Sequence, residues 1–416
     1  MGEAAERLYK EREKRVTDVI ELRMPDRVPI IVRFGFFPAT YTGMTAEELM
    51  YDPDKIEESY WKVVQDFEPD MIENPYVKPM GPVLDALDCQ QARWPGRNLP
   101  ASLPFQYIER EYMKAEEYDA LLSDPSDFIV RRLWPRIFGA LKGLEKLPPL
   151  HNIVSYSVGM NTAFGLPEIA EALDALRKVS EESMKMVLHI RAFSQKSKEK
   201  GFPIDSDSMT QAPFDFLTDF FRGSKGMMLD MYRRPEVVLK ACEKILPFLL
   251  ERALLPARAS GNPRVFIPLH LGMDGFLSRE QYLKFYWPTL HELMLALIKE
   301  GLYPCPFFEG EYTSRLDIIR DIPPGKACYK FESVDMAKAR EVLGDGIALR
   351  GGVPVSLLIA GTPDRVKEHV RRLIETVGKW GAFIIDASTV LDDARPENVR
   401  ALFNATREYG VYYQKY

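Results

Sequence analysis

The run Tyr303-Pro304-Cys305-Pro306-Phe307-Phe308-Glu309-Gly310 follows Leu302 as a short apolar stretch closed by a carboxylate and a glycine. Runs of the same kind recur at 29–33, 70–74, 201–207, 265–270, 327–332, 347–350 and 383–386, which makes eight in all. Buried parallel strands read as near-continuous apolar runs, and eight of them alternating with helical stretches predict a closed (β/α)8 barrel of the TIM type. Such a barrel carries its chemistry where strand ends open into one mouth. The polar residues that end the runs are therefore the candidate functional groups.

The chain has 416 residues, a length that fits one barrel with insertions as well as it fits two average domains. Residues 3–22 are helix formers and form an N-terminal extension, 1–24, expected to close the barrel bottom; the barrel then occupies 25–416. Between about 79 and 150 the pattern breaks into a Pro- and aromatic-rich stretch that includes Trp94-Pro95-Gly96-Arg97 and Phe105-Gln106-Tyr107. A structureless loop of that length is improbable in a compact domain, so this region is expected to be an inserted cap over the mouth, with aromatics such as Trp94 shaping a substrate pocket. Helical segments are expected at 54–67, 166–200, 215–252 with a break at 223–226, 282–300, 336–343, 362–377 and 396–409. Capping sequences at Thr45, Ser278 and Thr362 and the Arg395-Pro396 step mark helix starts.

A formal charge of −6 lacks the basic excess of a nucleic-acid binder. The four cysteines have no paired spacing, so neither a disulfide framework nor a Cys-only zinc site is expected. A charged N-terminus and the lack of any membrane-length apolar run predict a cytoplasmic protein that does not span a bilayer, as a monomer or homodimer.

His270, Glu309 and Asp386 end three predicted strands, and their types suit an N/O metal site such as a catalytic zinc. The alternative is a set of polar rim residues satisfied by their neighbours. Glu73, Asp205, Asp207 and Glu332 stand at other strand ends as candidate acids, bases or substrate anchors beside Asn74. Arg33 and Arg350 have the planar fork that clamps a carboxylate or phosphate, with a structural ion pair as the equal alternative. Cys305 precedes Glu309 by four residues and shares its strand face, and is expected to be a buried small hydrophobe.

The order of motifs from about 28 to 409 resembles the uroporphyrinogen decarboxylase superfamily, which includes cobalamin-dependent methyltransferases. The resemblance rests on Phe276-Leu277-Ser278-Arg279-Glu280-Gln281-Tyr282 with Phe285-Tyr286-Trp287-Pro288-Thr289-Leu290, Val334-Asp335-Met336, Leu343-Gly344-Asp345, Gly351-Gly352-Val353-Pro354-Val355 with Gly361-Thr362-Pro363, and Arg395-Pro396-Glu397-Asn398-Val399. Asp26-Arg27-Val28-Pro29-Ile30, Ala212-Pro213-Phe214 and Arg222-Gly223 match more loosely. The resemblance implies a single (β/α)8 barrel. Two departures bear on activity. Family decarboxylases carry Arg-Gln-Ala-Gly-Arg after the first strand to hold the porphyrinogen carboxylates, and here that place reads Arg33-Phe34-Gly35-Phe36-Phe37. Family methyltransferases hold zinc through His-x-Cys on the fifth strand and a Cys after the eighth, where this chain has Phe307, Glu309 and then Ser388 or Thr389. The expected function is methyl transfer from a small methoxylated or methylamine-type substrate to a corrinoid (cobalamin) on a partner protein, with Glu309, Asp386, Glu332 and Asp205 as catalytic groups. The alternatives are decarboxylation of a smaller carboxylate and a non-catalytic binding protein.

Overall fold

The computed structural model describes residues 2–77, 80–154 and 161–412. Six parallel strands follow one another in register order: β1 (Ser208–Met209), β2 (Arg264–Leu269), β3 (Tyr303–Phe308), β4 (Cys328–Phe331), β5 (Ala348–Val353) and β6 (Phe383–Ala387). The ring is completed by two short extended segments. Ile30 bridges Ile385 of β6, the Asp70 N–H donates to the Ile30 carbonyl, and Ile72 bridges Ile204, just ahead of β1. The expected eight-membered barrel is thus present, although its first two members are single bridges rather than regular strands.

Alternation along each strand sets what lies inside. Cys305, Phe307 and Glu309 share one face of β3, and Cys328, Lys330 and Glu332 share the matching face of β4 and its exit. Phe308, on the opposite face of β3, packs against Tyr329, Phe331 and Tyr312 in the outer core. In β5, Gly351 adopts φ +120°, and a Cβ built there would stand 2.8 Å from the Phe331 carbonyl oxygen. Gly351→Ala is therefore expected to cost about 1–3 kcal/mol, read as a lower denaturation midpoint.

Helix α1 (Glu3–Ile20) seals the bottom: Val16, Val19 and Ile20 form one buried cluster with Ile31, Met71, Cys328, Ala348 and Ile384. An ionic clasp ties it down. Asp70 accepts from Arg15 at 2.6 Å, from Arg27 at 2.7 and 2.8 Å and from the Ile30 N–H at 2.7 Å, while Arg15 also holds Asp26.

The capping boxes at Thr45 and Ser278 and the Thr362 cap form as their sequences predict. The helical block expected over 215–252 breaks at Gly223, φ +64°, as its sequence predicts, but it starts earlier, ends at Ser260 and is divided at further points. Pro213–Leu217 runs into a π-helical turn, Thr218–Arg222; Gly223–Arg233 follows, and the chain breaks again before Pro235–Ser260, where proline starts a new helix. The expected cap start at residue 79 lies outside the described residues. The segment 81–154 consists of short helices and a two-stranded ribbon, Ala92–Arg93 with Gln106–Tyr107. It is anchored by the Tyr112 and Met113 N–H groups on the Phe221 carbonyl and by Arg222, which bonds Glu111 at 2.5 Å and Asp230 at 2.6 Å.

Candidate active site

His270 leaves β2 at the mouth, and its backbone N–H donates to Asp215 Oδ2 at 2.9 Å. Asp215 also accepts from the Leu271 N–H at 3.1 Å and from the Tyr286 hydroxyl at 2.6 Å, so this buried carboxyl fixes the turn after the strand. One helical turn further on, Asp219 Oδ2 meets His270 Nδ1 at 2.7 Å and accepts from Gln211 Nε2 at 3.3 Å. Asp219 lies within the π-helical turn, a local distortion that frequently marks functional sites. With Nδ1 held by a carboxylate, His270 presents Nε2 to the mouth, 3.8 Å from Glu309 Oε1.

Burial and neighbouring charges shift the proton affinities of His270, Asp215 and Glu309 upward. Burial alone would lower the His270 pKa, but the Asp219 bond and the charges of Asp215, Asp219 and Glu309 outweigh it and lift the value to about 9. Burial, and then the neighbouring Asp219, push the Asp215 carboxyl upward. Glu309 is raised by burial, opposed by His270 and assisted by Glu332. Glu332 itself accepts from the Gly310 N–H at 2.6 Å, which holds the loop carrying Glu309. The raised His270 value has a definite sign: the imidazolium interaction stabilises the fold fully below pH 6.5, and that contribution is lost as pH rises through about 9. An NMR titration of the His270 ring is expected to show its midpoint near 9, and one at 6.5 would contradict the Asp219 pairing.

Below the mouth lies a second charged layer. Arg350 donates through Nε to Asp386 Oδ2 at 2.7 Å and through Nη1 to Asp205 Oδ2 at 2.8 Å, and Lys330 Nζ lies 2.9 Å from Asp386 Oδ2. Arg33 sits with its guanidinium 3.5 Å above the Phe266 ring, which stacks on Phe307. Burial disfavours the Asp205 carboxylate, but Arg350 and Arg33 more than compensate and hold its pKa low, so it is a fixed anion rather than a proton donor.

The sequence candidates therefore separate. His270 and Glu309 come together at the mouth with Glu332 beside them. Asp386 does not join them: it is fully buried and held by Arg350 and Lys330, and among the described residues no three His, Cys, Asp or Glu side chains gather as a metal ion requires. The proposed His270, Glu309, Asp386 metal set is thus corrected, and the residues present do not fit a resident zinc. Asn74 and Trp94 are also corrected. Asn74 is buried with its Nδ2 on the Ile190 carbonyl and Ser194 Oγ, tying down the helix Pro167–Glu199. Trp94 is fully buried and donates to the Tyr51 hydroxyl, so it ties the segment 81–154 to the helix that ends at Tyr51. Glu73 accepts from the Gly35 N–H at 3.2 Å, steadying the loop after the first barrel segment. Sequence reasoning missed Asp215, Asp219, Gln211 and Tyr286; the available signal was the Asp-x-x-x-Asp pair directly after Ala212-Pro213-Phe214.

An eight-membered parallel barrel with ionisable groups gathered at the strand exits defines an α/β barrel of the kind that hosts catalytic sites. The sequence profile of the uroporphyrinogen decarboxylase (URO-D) family matches residues 158–409, well over half of the chain, and the chain belongs to that family. It is 26% identical over 173 residues to the uroporphyrinogen decarboxylase of Syntrophotalea carbinolica, covering 41% of this chain and 49% of that protein. It is 26% identical over 188 residues to the one from Pelodictyon phaeoclathratiforme, covering 44% and 52%. The chain thus spans about half the length of the curated relatives it matches. A methyltransferase from Methanosarcina mazei superposes over 96% of this chain and 98% of its own, with a TM-score of 0.60 at 13% identity, a likeness of fold. Among the described residues no helix is long and apolar enough to cross a membrane.

Proposed function

We propose that the chain is a methyltransferase that takes a methyl group from a small methoxylated or methylamine-type donor and passes it to a corrinoid carried by a partner protein. The observation that carries this reading is the His270–Glu309 pair, an imidazole held by Asp219 and a carboxyl whose pKa burial raises, 3.8 Å apart at the barrel mouth. Methyl transfer from an ether or amine is limited by the basicity of the heteroatom left behind, and a positioned acid removes that obstacle. Glu309 delivers the proton to the departing oxygen or nitrogen as its bond to the methyl carbon breaks, and His270, oriented by Asp219, supports and replenishes it. The acceptor, when presented by its partner, supplies a strong nucleophile. About a third of the His270 and Glu309 side-chain surface is exposed, so a reactant brought from outside can reach them.

Purified protein would be incubated with corrinoid in its Co(I) state and donors carrying a trideuterated methyl group. Deuterated methylcorrinoid, detected by mass spectrometry, is the expected product; no label from either donor class would overturn the reading. The second reading, decarboxylation, draws on Arg33, Lys330 and Arg350 gathered beneath the mouth. It requires labelled carbon dioxide to be released from a carboxyl-labelled substrate.

A further inference from the structure

Two large side chains near the mouth stand open to water and take no part in the proton chemistry. Met209, at the end of β1, is 43% exposed although it belongs to a barrel strand. The hydroxyls of its neighbours Ser208 and Thr210 donate to the Ala253 and Leu249 carbonyls of the outer helix Pro235–Ser260, so alternation turns Met209 into the barrel. There it pairs in register with Phe266, which stacks on Phe307 at 6.5 Å. Phe266 shares its strand face with His270, and Phe307 shares one with Glu309, so this apolar patch lies below the acid pair on the same inner wall. The second side chain is Tyr107, 74% exposed at the end of the ribbon strand Gln106–Tyr107. Its segment is pinned on either side of it. Phe105 meets the ring of Phe36, on the loop after the first barrel segment, at 6.0 Å, and the Tyr112 N–H donates to the Phe221 carbonyl, two residues beyond Asp219. Between these anchors Tyr107 meets Phe105 edge-on at 5.3 Å. Water reaches the ring, but the hydroxyl end stands among protein atoms: burial, and then the charges of Asp219, Cys89 and Glu309, raise its pKa.

We infer that Tyr107 and Met209 hold the donor from two sides, and that the donor is an aromatic methyl ether whose flat ring lies between them with its methoxy oxygen at Glu309. Aromatic rings gain from edge and face contacts with tyrosine and from the polarizable thioether of methionine. A methylammonium ion or a short aliphatic ether has too little surface to cover either side chain and would leave both wet. The chemistry agrees with this choice. As the bond between oxygen and methyl carbon breaks, its electron pair stays on the ring oxygen, which takes the Glu309 proton and leaves as a phenol, while the methyl group goes to the electron pair of the acceptor. A phenol oxygen is far less basic than an aliphatic alkoxide, so a carboxyl is acid enough to release it. Tyr107 is then a specificity-determining residue that the segment 81–154 supplies to the mouth. This donor assignment rests on the proposed methyl transfer and narrows its methoxylated and methylamine-type donors to the aromatic ether alone.

The test is calorimetric titration of the whole chain with 4-methoxyphenol and with trimethylamine, followed by transfer assays of both with Co(I) corrinoid. The methoxyphenol is expected to bind at least about tenfold more tightly, as burial of an aromatic face implies. Tyr107→Ala is expected to remove most of that preference while leaving trimethylamine binding and the melting temperature unchanged, since the side chain is exposed. Tyr107→Phe keeps the ring and is expected to restore the preference. Met209→Gln, of similar length, is expected to weaken methoxyphenol binding from the other side and serves if the ribbon variant is disturbed. Equal binding of the two probes, or methoxyphenol binding unchanged in both Tyr107→Ala and Met209→Gln, would overturn the inference. Methyl transfer from trimethylamine but not from 4-methoxyphenol would overturn the substrate class and uphold methyl transfer. Ring binding that depends on Tyr107, with no transfer from either donor, would uphold the ring site and overturn the reaction on which the donor assignment rests.

Discussion

Glu309→Gln is expected to slow the proposed methyl transfer by about 10²–10⁴-fold, the range a positioned general acid supplies, while leaving thermal stability close to wild type. The amide keeps the size of the carboxyl but has no acidic proton to give. Glu309 can be tested this cleanly because its carboxyl is not a structural tie: its neighbour Glu332 makes the loop contact to Gly310. The pH profile carries the complementary information. Activity that needs the His270 imidazolium is present below about pH 9 and falls as pH rises through that value. In Asp219→Asn the carboxylate that lifts His270 is gone, so the alkaline limb should move toward lower pH. An unmoved limb would assign it to another group.

Asp70→Ala is expected to destabilise the fold by about 3–5 kcal/mol, the cost of removing one partner from a buried ionic cluster. Asp70 is fully buried and satisfies Arg15, Arg27 and the Ile30 N–H together. Its removal leaves the Arg15 guanidinium, itself buried, with Asp26 alone, and loosens both the α1 plug and the first barrel segment. Chemical denaturation with an unchanged slope and a lower midpoint would show this; a loss below about 1 kcal/mol would mean that α1 is held by its apolar face alone.

The barrel was legible because parallel strands buried on both faces must be apolar, and Tyr303 to Phe308 has no other economical reading. The same rule about strand exits put His270 and Glu309 at the mouth, though as two of three metal ligands rather than as a pair. What strand ends do not reveal is depth. Asp386 stands at the end of an apolar run just as Glu309 does, yet it lies a layer lower, where Arg350 and Lys330 claim it. Trp94 and Asn74 were read as lining groups on residue type, whereas side-chain direction, which single-sequence spacing leaves open in irregular segments, turned both into the protein interior. Asp215 and Asp219 were hidden for a different reason. They sit in what reads as an ordinary helix, and only the π-helical turn carries the second aspartate to the histidine.

The plug formed by α1 closes the barrel at the end opposite the strand exits. A barrel stopped at one end has a single way in: under the proposed transfer, donor and acceptor would share that entrance, the smaller arriving before the larger and leaving after it.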